Sequence, residues 1–289
     1  MKVGIALNVE NVLKKITPNN HNIISTRYHR IVRSINSYYW GIDSSRQNCR
    51  YVGSYGRGTA IDGFSDVDMI VVLPETYYER FRKYQHNGQS ALIQNVKRAL
   101  NFTYSRSFTK GDGQVIVIEF SDGIKFEIVP AFKIKDTYTY PDSNESGSWK
   151  KCNPLKEIEA VNLINKYHNG KLKNLCKLTR AWKKENNINI SGILIDALAA
   201  MYMLYLKEEQ KSWDYKFLFT DFLNYLGSQF QKNSWLICGS WDVIQRNNME
   251  FEDCALQSAS YCIKAMKYEF DKDYSLADTY WEKIFGNVI

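Results

Sequence analysis

The stretch GSYGRGTAIDGFSDVDMIVVLP, Gly53 to Pro74, decides how this chain is read. Its last third, Val67 to Leu73, is rich in β-branched residues and stops at Pro74, which has no N–H for a strand ladder. The predicted strand nevertheless opens with two carboxylates, Asp66 and Asp68, where a core strand wants apolar side chains. Residues two apart on a strand point to the same side. Both acids then face one way, repel each other and lose hydration. A divalent cation removes both costs, since Mg²⁺ takes oxygen ligands, commonly one or two carboxylates plus phosphate oxygens. An isolated Asp-x-Asp is equally well read as a solvated loop end. Here Gly53 and Ser54 precede it, Ser54 by twelve residues. Glycine lets backbone approach a phosphate closely, and successive N–H groups with a serine hydroxyl can cradle the β- and γ-phosphates.

A catalytic metal site needs a third carboxylate, and the sequence downstream offers one. DGQVIVIEFSDGIKFEIVPAF, Asp112 to Phe132, has two β-rich runs around an Asp-Gly turn and predicts a hairpin. Alternation puts Ile124, Phe126 and Ile128 on one face and Lys125, Glu127 and Val129 on the other. Glu127 thus stands out on a strand that otherwise reads as core; Glu119, nearer the turn, is the competing candidate, and an exposed Glu127 beside a lysine is the plainer reading.

Upstream, the apolar residues Ile23, Ile24, Tyr28, Ile31, Val32 and Ile35 recur at steps of three and four, which predicts an amphipathic helix ended by Gly41. Tyr77 to Phe102 carries helical patterning with a break near HNGQS. PDSNESGSWKKCNP, Pro141 to Pro154, is polar and reads as a connector. Beyond it the chain is expected to be helical to its end. Leu172, Leu175, Leu178 and Trp182 share one helix face, and SGILIDALAAMYMLYL is apolar nearly all round, as a buried helix would be. The expected organisation is a mixed α+β part, residues 1–150, followed by a helical part, residues 151–289.

Composition narrows the function classes. The 289 residues include 44% hydrophobic ones, ample for a core of this size. A net charge of +7 suits an anionic ligand such as a nucleotide but is too mild for a dedicated nucleic-acid binder. The six cysteines form no C-x-x-C pair and lie near no paired histidines, so they read as reduced thiols and argue against structural zinc. No run reaches membrane-spanning length and the N-terminus lacks an apolar signal segment, so a cytoplasmic protein is expected.

GSYGRGTAIDGFSDVDM, with the third acid in KFEIVPAF, resembles the polymerase-β-like nucleotidyltransferases. The further segments NGQSALIQNVKRAL, YPDSNESGSWKKCNP, LCKLTRAW and SGILIDALA resemble, in order, the bacterial cGAS/DncV-like nucleotidyltransferases (CD-NTases, the SMODS domain), over most of the chain. The resemblance implies an α+β fold: a polymerase-β-like core with a mixed sheet, an α-helical lobe, and an active site in the cleft between them. It implies an enzyme that joins NTPs, ATP among them, into cyclic di- or trinucleotides, second messengers that act on a separate effector protein in antiviral defence.

It also implies two Mg²⁺ ions, with Mn²⁺ as an alternative, held by Asp66, Asp68 and Glu127, although the third position is often Asp in relatives. Gly53 and Ser54 match the phosphate cradle. Arg180 stands where relatives often carry a triphosphate-binding lysine; Lys177, one turn earlier, can share that task, and Ser191 can contribute its hydroxyl or serve simply as a helix cap. The solvated-face reading of Lys177 and Arg180 stays open. A monomer is expected, with no membrane and no obligatory nucleic acid, since the zinc-bearing insertion of animal relatives has no counterpart here. Two other readings remain: transfer to a different acceptor, such as an RNA end, a protein or a small molecule, and a nucleotide-binding module without chemistry.

Overall fold

The computed structural model describes residues 6–63, 66–104 and 107–286. Phe64 and Ser65, in the loop before the first aspartate, lie outside the described residues. The chain divides into two compact units: a sheet unit, Pro18–Gly56 and Ser65–Leu155, and a helical unit, Met1–Thr17, Arg57–Phe64 and Lys156–Ile289.

The chain enters with α1 (Val9–Ile16), which belongs to the helical unit, and then α2 (His21–Ile35). α2 buries Ile24, Tyr28, Ile31, Val32 and Ile35 of the predicted stripe, while Ile23 is exposed. It runs on as a π-helical turn, Asn36–Trp40, and stops at Gly41, whose φ of 65° suits a residue without Cβ. Then come β1 (Cys49–Tyr51), the short α3 (Gly53–Arg57), β2 (Val67–Val72), α4 (Glu75–Phe81) and α5 (Gly88–Asn101). The break foreseen between α4 and α5 is made by Asn87, whose side chain accepts from the Ser90 N–H and caps α5.

Five more strands complete the sheet: β3 (Phe108–Asp112), β4 (Val115–Glu119), β5 (Lys125–Ile134), β6 (Thr137–Asp142) and β7 (Ser148–Cys152). Their order is β1-β2-β5-β4-β3, with β6 paired to β5 and β7 to β6. The β2–β5 pair is parallel and the others antiparallel, so the sheet is mixed. Val67, Met69 and Val71 of β2 and Phe126, Ile128 and Phe132 of β5 pack on Ile31, Val32 and Ile35 of α2 and Leu92, Ile93 and Val96 of α5. The alternate residues, Ile70 of β2 and Ala131 of β5 among them, form a smaller cluster on the other face with Val52 and Tyr138. By the period of two, Asp68 and Glu127 belong to that second face.

One expectation is corrected here. The polar stretch after Pro141 is no connector but the turn and second strand of the β6–β7 hairpin. Its turn puts Glu145, Ser146 and Gly147 at φ of 48°, 74° and 92°. The buried organiser is Asp142, whose Oδ1 accepts from the Asn144 N–H at 3.1 Å while its other oxygen pairs with Lys150 at 2.5 Å. This polar lattice holds the turn, while Trp149 of β7 packs on Tyr78 and Phe132.

The helical unit continues with α6 (Pro154–Tyr167), α7 (Lys171–Glu185), α8 (Gly192–Leu204) and α9 (Tyr215–Gly227). A small hairpin, β8 (Ser234–Leu236) with β9 (Val243–Gln245), interrupts the expected all-helical run. The unit ends with α10 (Glu252–Phe270) and α11 (Tyr274–Phe285). Leu172, Leu175, Leu178 and Trp182 lie in its core as predicted. Each such side chain contributes about 1.5–3 kcal/mol through burial. The Trp182 indole also donates to Ser258 Oγ at 2.9 Å, so its one polar atom is satisfied in the interior. Among the described residues no helix is long and apolar enough to cross a membrane.

Candidate active site

The sheet brings the two halves of the acidic motif together. β2 and β5 run parallel and in register, with Asp68 opposite Glu127. Neighbouring strands lie about 4.8 Å apart, so side chains on the same face at paired positions are adjacent. Asp66 stands just before β2, two residues from Asp68 and on the same side. Its Oδ1 is 3.9 Å from Lys125 Nζ, on β5 two residues before Glu127. Glu127 is half-buried; its carboxyl is pushed above the usual range by burial and, less, by the negative charge of Asp66. Burial and a like charge both disfavour ionisation until a cation arrives.

The glycine cradle touches this acid set. The Val52 N–H donates to the Asp68 carbonyl at 3.0 Å, and the Gly56 N–H to the Val52 carbonyl at 2.8 Å, which winds α3 directly beside β2. Gly53 has a φ of 57°, and a Cβ on it would fall 1.8 Å from Asp68 Oδ2. Only glycine leaves room for that carboxylate. Ser54 follows in the same turn, partly exposed.

The donor set suits Mg²⁺: all carboxylate oxygens, hard ligands, with a backbone cradle beside them. Among the described residues no three His, Cys, Asp or Glu side chains converge into a ready cage. That fits a site whose coordination shell is completed by water and nucleotide phosphates. A groove in the sheet unit lies elsewhere. It measures about 1140 Å³ and is lined by Arg30, Arg33, Arg46 and Phe102 among others, on the α2 and α5 side of the sheet. None of the three acids lines it, so the chemistry follows the carboxylates rather than this hollow.

Lys177, Arg180 and Ser191 all fall in the helical unit. Lys177 donates to Thr17 Oγ1 at 3.2 Å, and burial, then the nearby Lys173, lowers its pKa. Lys173 lies one turn before it on α7, its Nζ 3.2 Å from where a Cβ on Gly58 would stand. Ser191 caps α8, its Oγ accepting from the Leu194 N–H. Arg180 is 3% exposed and its fork grips Asp196 of α8. Nη1 donates to Asp196 Oδ1 at 2.5 Å, and Nη2 to Oδ2 at 2.9 Å and to the Gly192 carbonyl at 2.8 Å. Both Nη groups of the planar fork are thus committed to protein acceptors.

Asp196 also accepts from Arg57 Nε at 2.7 Å and Thr59 Oγ1 at 2.9 Å, and Arg57 pairs with Glu157 at 3.2 Å. Burial alone would raise the Asp196 carboxyl, but Arg180 and Arg57 outweigh it and hold it at about 2. This network escaped sequence reasoning, although one signal was there. Asp196 is the single charge in a helix apolar all round, and a buried carboxylate requires cationic partners.

Known proteins with this architecture place the chain. A comparison with curated protein sequences returns no match. Among solved structures, the E. coli MS115-1 CdnC:HORMA-deltaN complex is similar at 15% identity and a TM-score of 0.70, over 97% of this chain and 96% of that one. Bradyrhizobium diazoefficiens CD-NTase CdnG in complex with GTP is similar at 10% identity and 0.68, over 97% and 94%. Escherichia coli DncV in its 3'-deoxy GTP bound form is similar at 11% and 0.67, over 97% and 92%. At these identities the likeness is one of fold: the mixed sheet and helices are those of a polymerase-β-like nucleotidyltransferase. The family model of the Second Messenger Oligonucleotide or Dinucleotide Synthetase domain (SMODS) matches residues 1–165. That match spans more than half of the sequence, and the chain therefore belongs to the SMODS family of cGAS/DncV-like enzymes, nucleotidyltransferases that produce cyclic oligonucleotides.

Proposed function

We propose that this enzyme joins nucleoside triphosphates, ATP among them, into a cyclic di- or trinucleotide that serves as a second messenger in antiviral defence, with Asp66, Asp68 and Glu127 at the reacting centre. The observation that carries the reading is the in-register pairing of Asp68 with Glu127 on parallel strands, with Gly53 pressed against the Asp68 carboxylate. GTP and 3'-deoxy GTP in two structures of similar fold support triphosphates as substrates.

Two Mg²⁺ ions at these carboxylates would neutralise the triphosphate and ease deprotonation of an acceptor hydroxyl. The chain's own part is positioning. Asp68 stands on β2 with Asp66 two residues ahead of it, and the ladder sets Glu127 opposite Asp68. The Gly53 and Ser54 turn offers backbone N–H groups and a hydroxyl to phosphate oxygens. We assign Lys177 and Ser191 to the triphosphate as well, on the resemblance. The acceptor hydroxyl attacks the α-phosphorus, the P–O bond to the β-phosphate breaks, and pyrophosphate leaves; a second such attack closes the ring.

Incubation with the four NTPs alone and Mg²⁺ tests the reading. A phosphatase-resistant product forms without any added acceptor. Asp68→Asn, folded by circular dichroism, releases pyrophosphate at least about 10²-fold more slowly. Wild-type turnover in that variant refutes the assignment, and a requirement for RNA or protein acceptor replaces the cyclic product with a different transfer.

A further inference from the structure

We propose that Lys125 is a built-in counter-ion of the carboxylate site: it holds Asp66 while no divalent cation is bound, and so sets how tightly such a cation binds. The inference rests on the reading of Asp66, Asp68 and Glu127 as metal ligands.

Position comes first. Lys125 and Glu127 are two apart on β5 and share a face, and Lys125 Nζ reaches within 3.9 Å of Asp66 Oδ1. Lys125 is the only cation within ion-pair distance of Asp66 among the described residues. Three carboxylates gathered on one sheet face repel one another in the absence of a cation. An ammonium group beside them relieves that repulsion, but it occupies the electrostatic role of the ion that must replace it.

The pair is built to be displaced. At 3.9 Å it is at the limit of an ion pair, and its side chains are 39% and 42% exposed. Exposed pairs of this kind hold weakly. Lysine carries a compact charge on a flexible stem, unlike the planar fork that locks Arg180 onto Asp196. The released amine also has somewhere to go. Lys125 pairs in register with Glu119 on β4, a second carboxylate one strand spacing away. The same lysine can thus neutralise the metal ligands in one state and a neighbouring acid in the other.

The test is direct titration of Mn²⁺, without nucleotide, by the electron paramagnetic resonance of the free ion, on wild type, Lys125→Met, Lys125→Arg and Asp68→Asn. A unit positive charge a few ångströms from a dication weakens its binding, and after solvent screening the expected effect is roughly threefold to tenfold. Lys125→Met should therefore bind Mn²⁺ roughly threefold to tenfold more tightly than wild type, with the gap narrowing as salt is raised. Lys125→Arg, which keeps the charge, should stay near the wild-type value. Equal or weaker binding by Lys125→Met, with binding abolished in Asp68→Asn, overturns the role of Lys125 and leaves the metal site standing. Identical binding by wild type and Asp68→Asn overturns the metal site itself, and the inference with it.

Discussion

Asp196→Asn isolates a buried charge of the helical unit. The substitution keeps the side-chain shape but removes the charge, and it turns an amide NH₂ toward groups that are themselves donors. Arg57 is 5% and Arg180 3% exposed, so neither guanidinium can recover hydration where it stands. Asp196 accepts from Arg57 Nε, Thr59 Oγ1 and both Arg180 Nη atoms, and after the change Glu157 is the one carboxylate left in the network. Removing one partner of a buried pair costs about 3–5 kcal/mol. At about 2–4 °C per kcal/mol for a body of this size, the melting midpoint should fall by about 10 °C. Urea unfolding followed by tryptophan fluorescence reads the loss, because Trp182 and Trp281 are buried in this unit. A double-mutant cycle with Arg180→Met should return a coupling of about 0.5–3 kcal/mol. Acid adds an independent check. With the Asp196 carboxyl held at about 2, below its unfolded value of about 3.9, the stabilisation is complete above the unfolded value. It is lost as pH falls toward 2, and Asp196→Asn should lack that part of the acid limb. A loss below about 1 kcal/mol, or no coupling to Arg180, refutes the argument that this network is a stabilising clasp.

Gly53→Ala should keep the fold yet slow pyrophosphate release by at least about 10²-fold, because the new Cβ would lie 1.8 Å from Asp68 Oδ2 at a φ of 57° and the carboxylate must move; steady-state kinetics beside a thermal melt separate the two effects. Ser191→Ala should cost about 1 kcal/mol in urea unfolding and Ser191→Gly only a few tenths, since the hydroxyl caps α8 through the Leu194 N–H; equal losses would remove the cap from the account.

Wherever a residue's fate depends on local pattern, the sequence was informative. The α2 stripe, the stop at Gly41, the β4–β5 turn and the alternate facing of Phe126 and Glu127 all follow from periods of 3.6 and 2 and from turn chemistry. Pairing between distant segments did not show. That β2 lies parallel to β5, with position 68 beside 127, is a fact of topology, reached in the sequence reading only through the chemistry that three carboxylates imply. The β6–β7 hairpin was missed for another reason: its turn and β7 are mostly polar, and the turn is held by Asp142, Asn144 and Lys150.

Arg180 shows most sharply how a pattern can mislead when its partner is out of sight. On a helix wheel it shares a region with Lys177, and a resemblance in which lysine often fills the position makes phosphate the natural partner. The deciding residue is Asp196, sixteen positions away on the next helix, and it too was visible as an anomaly. A lysine at 180 would meet it at one point, whereas the guanidinium meets both its oxygens and the Gly192 carbonyl besides. Arginine at 180 and aspartate at 196 therefore explain each other. Lys173 and Lys177 of α7 are half-buried, and burial lowers both pKa values, with Lys173 adding to the shift at Lys177. Burial disfavours the charged form of both amines, the opposite of what Asp196 does for Arg180.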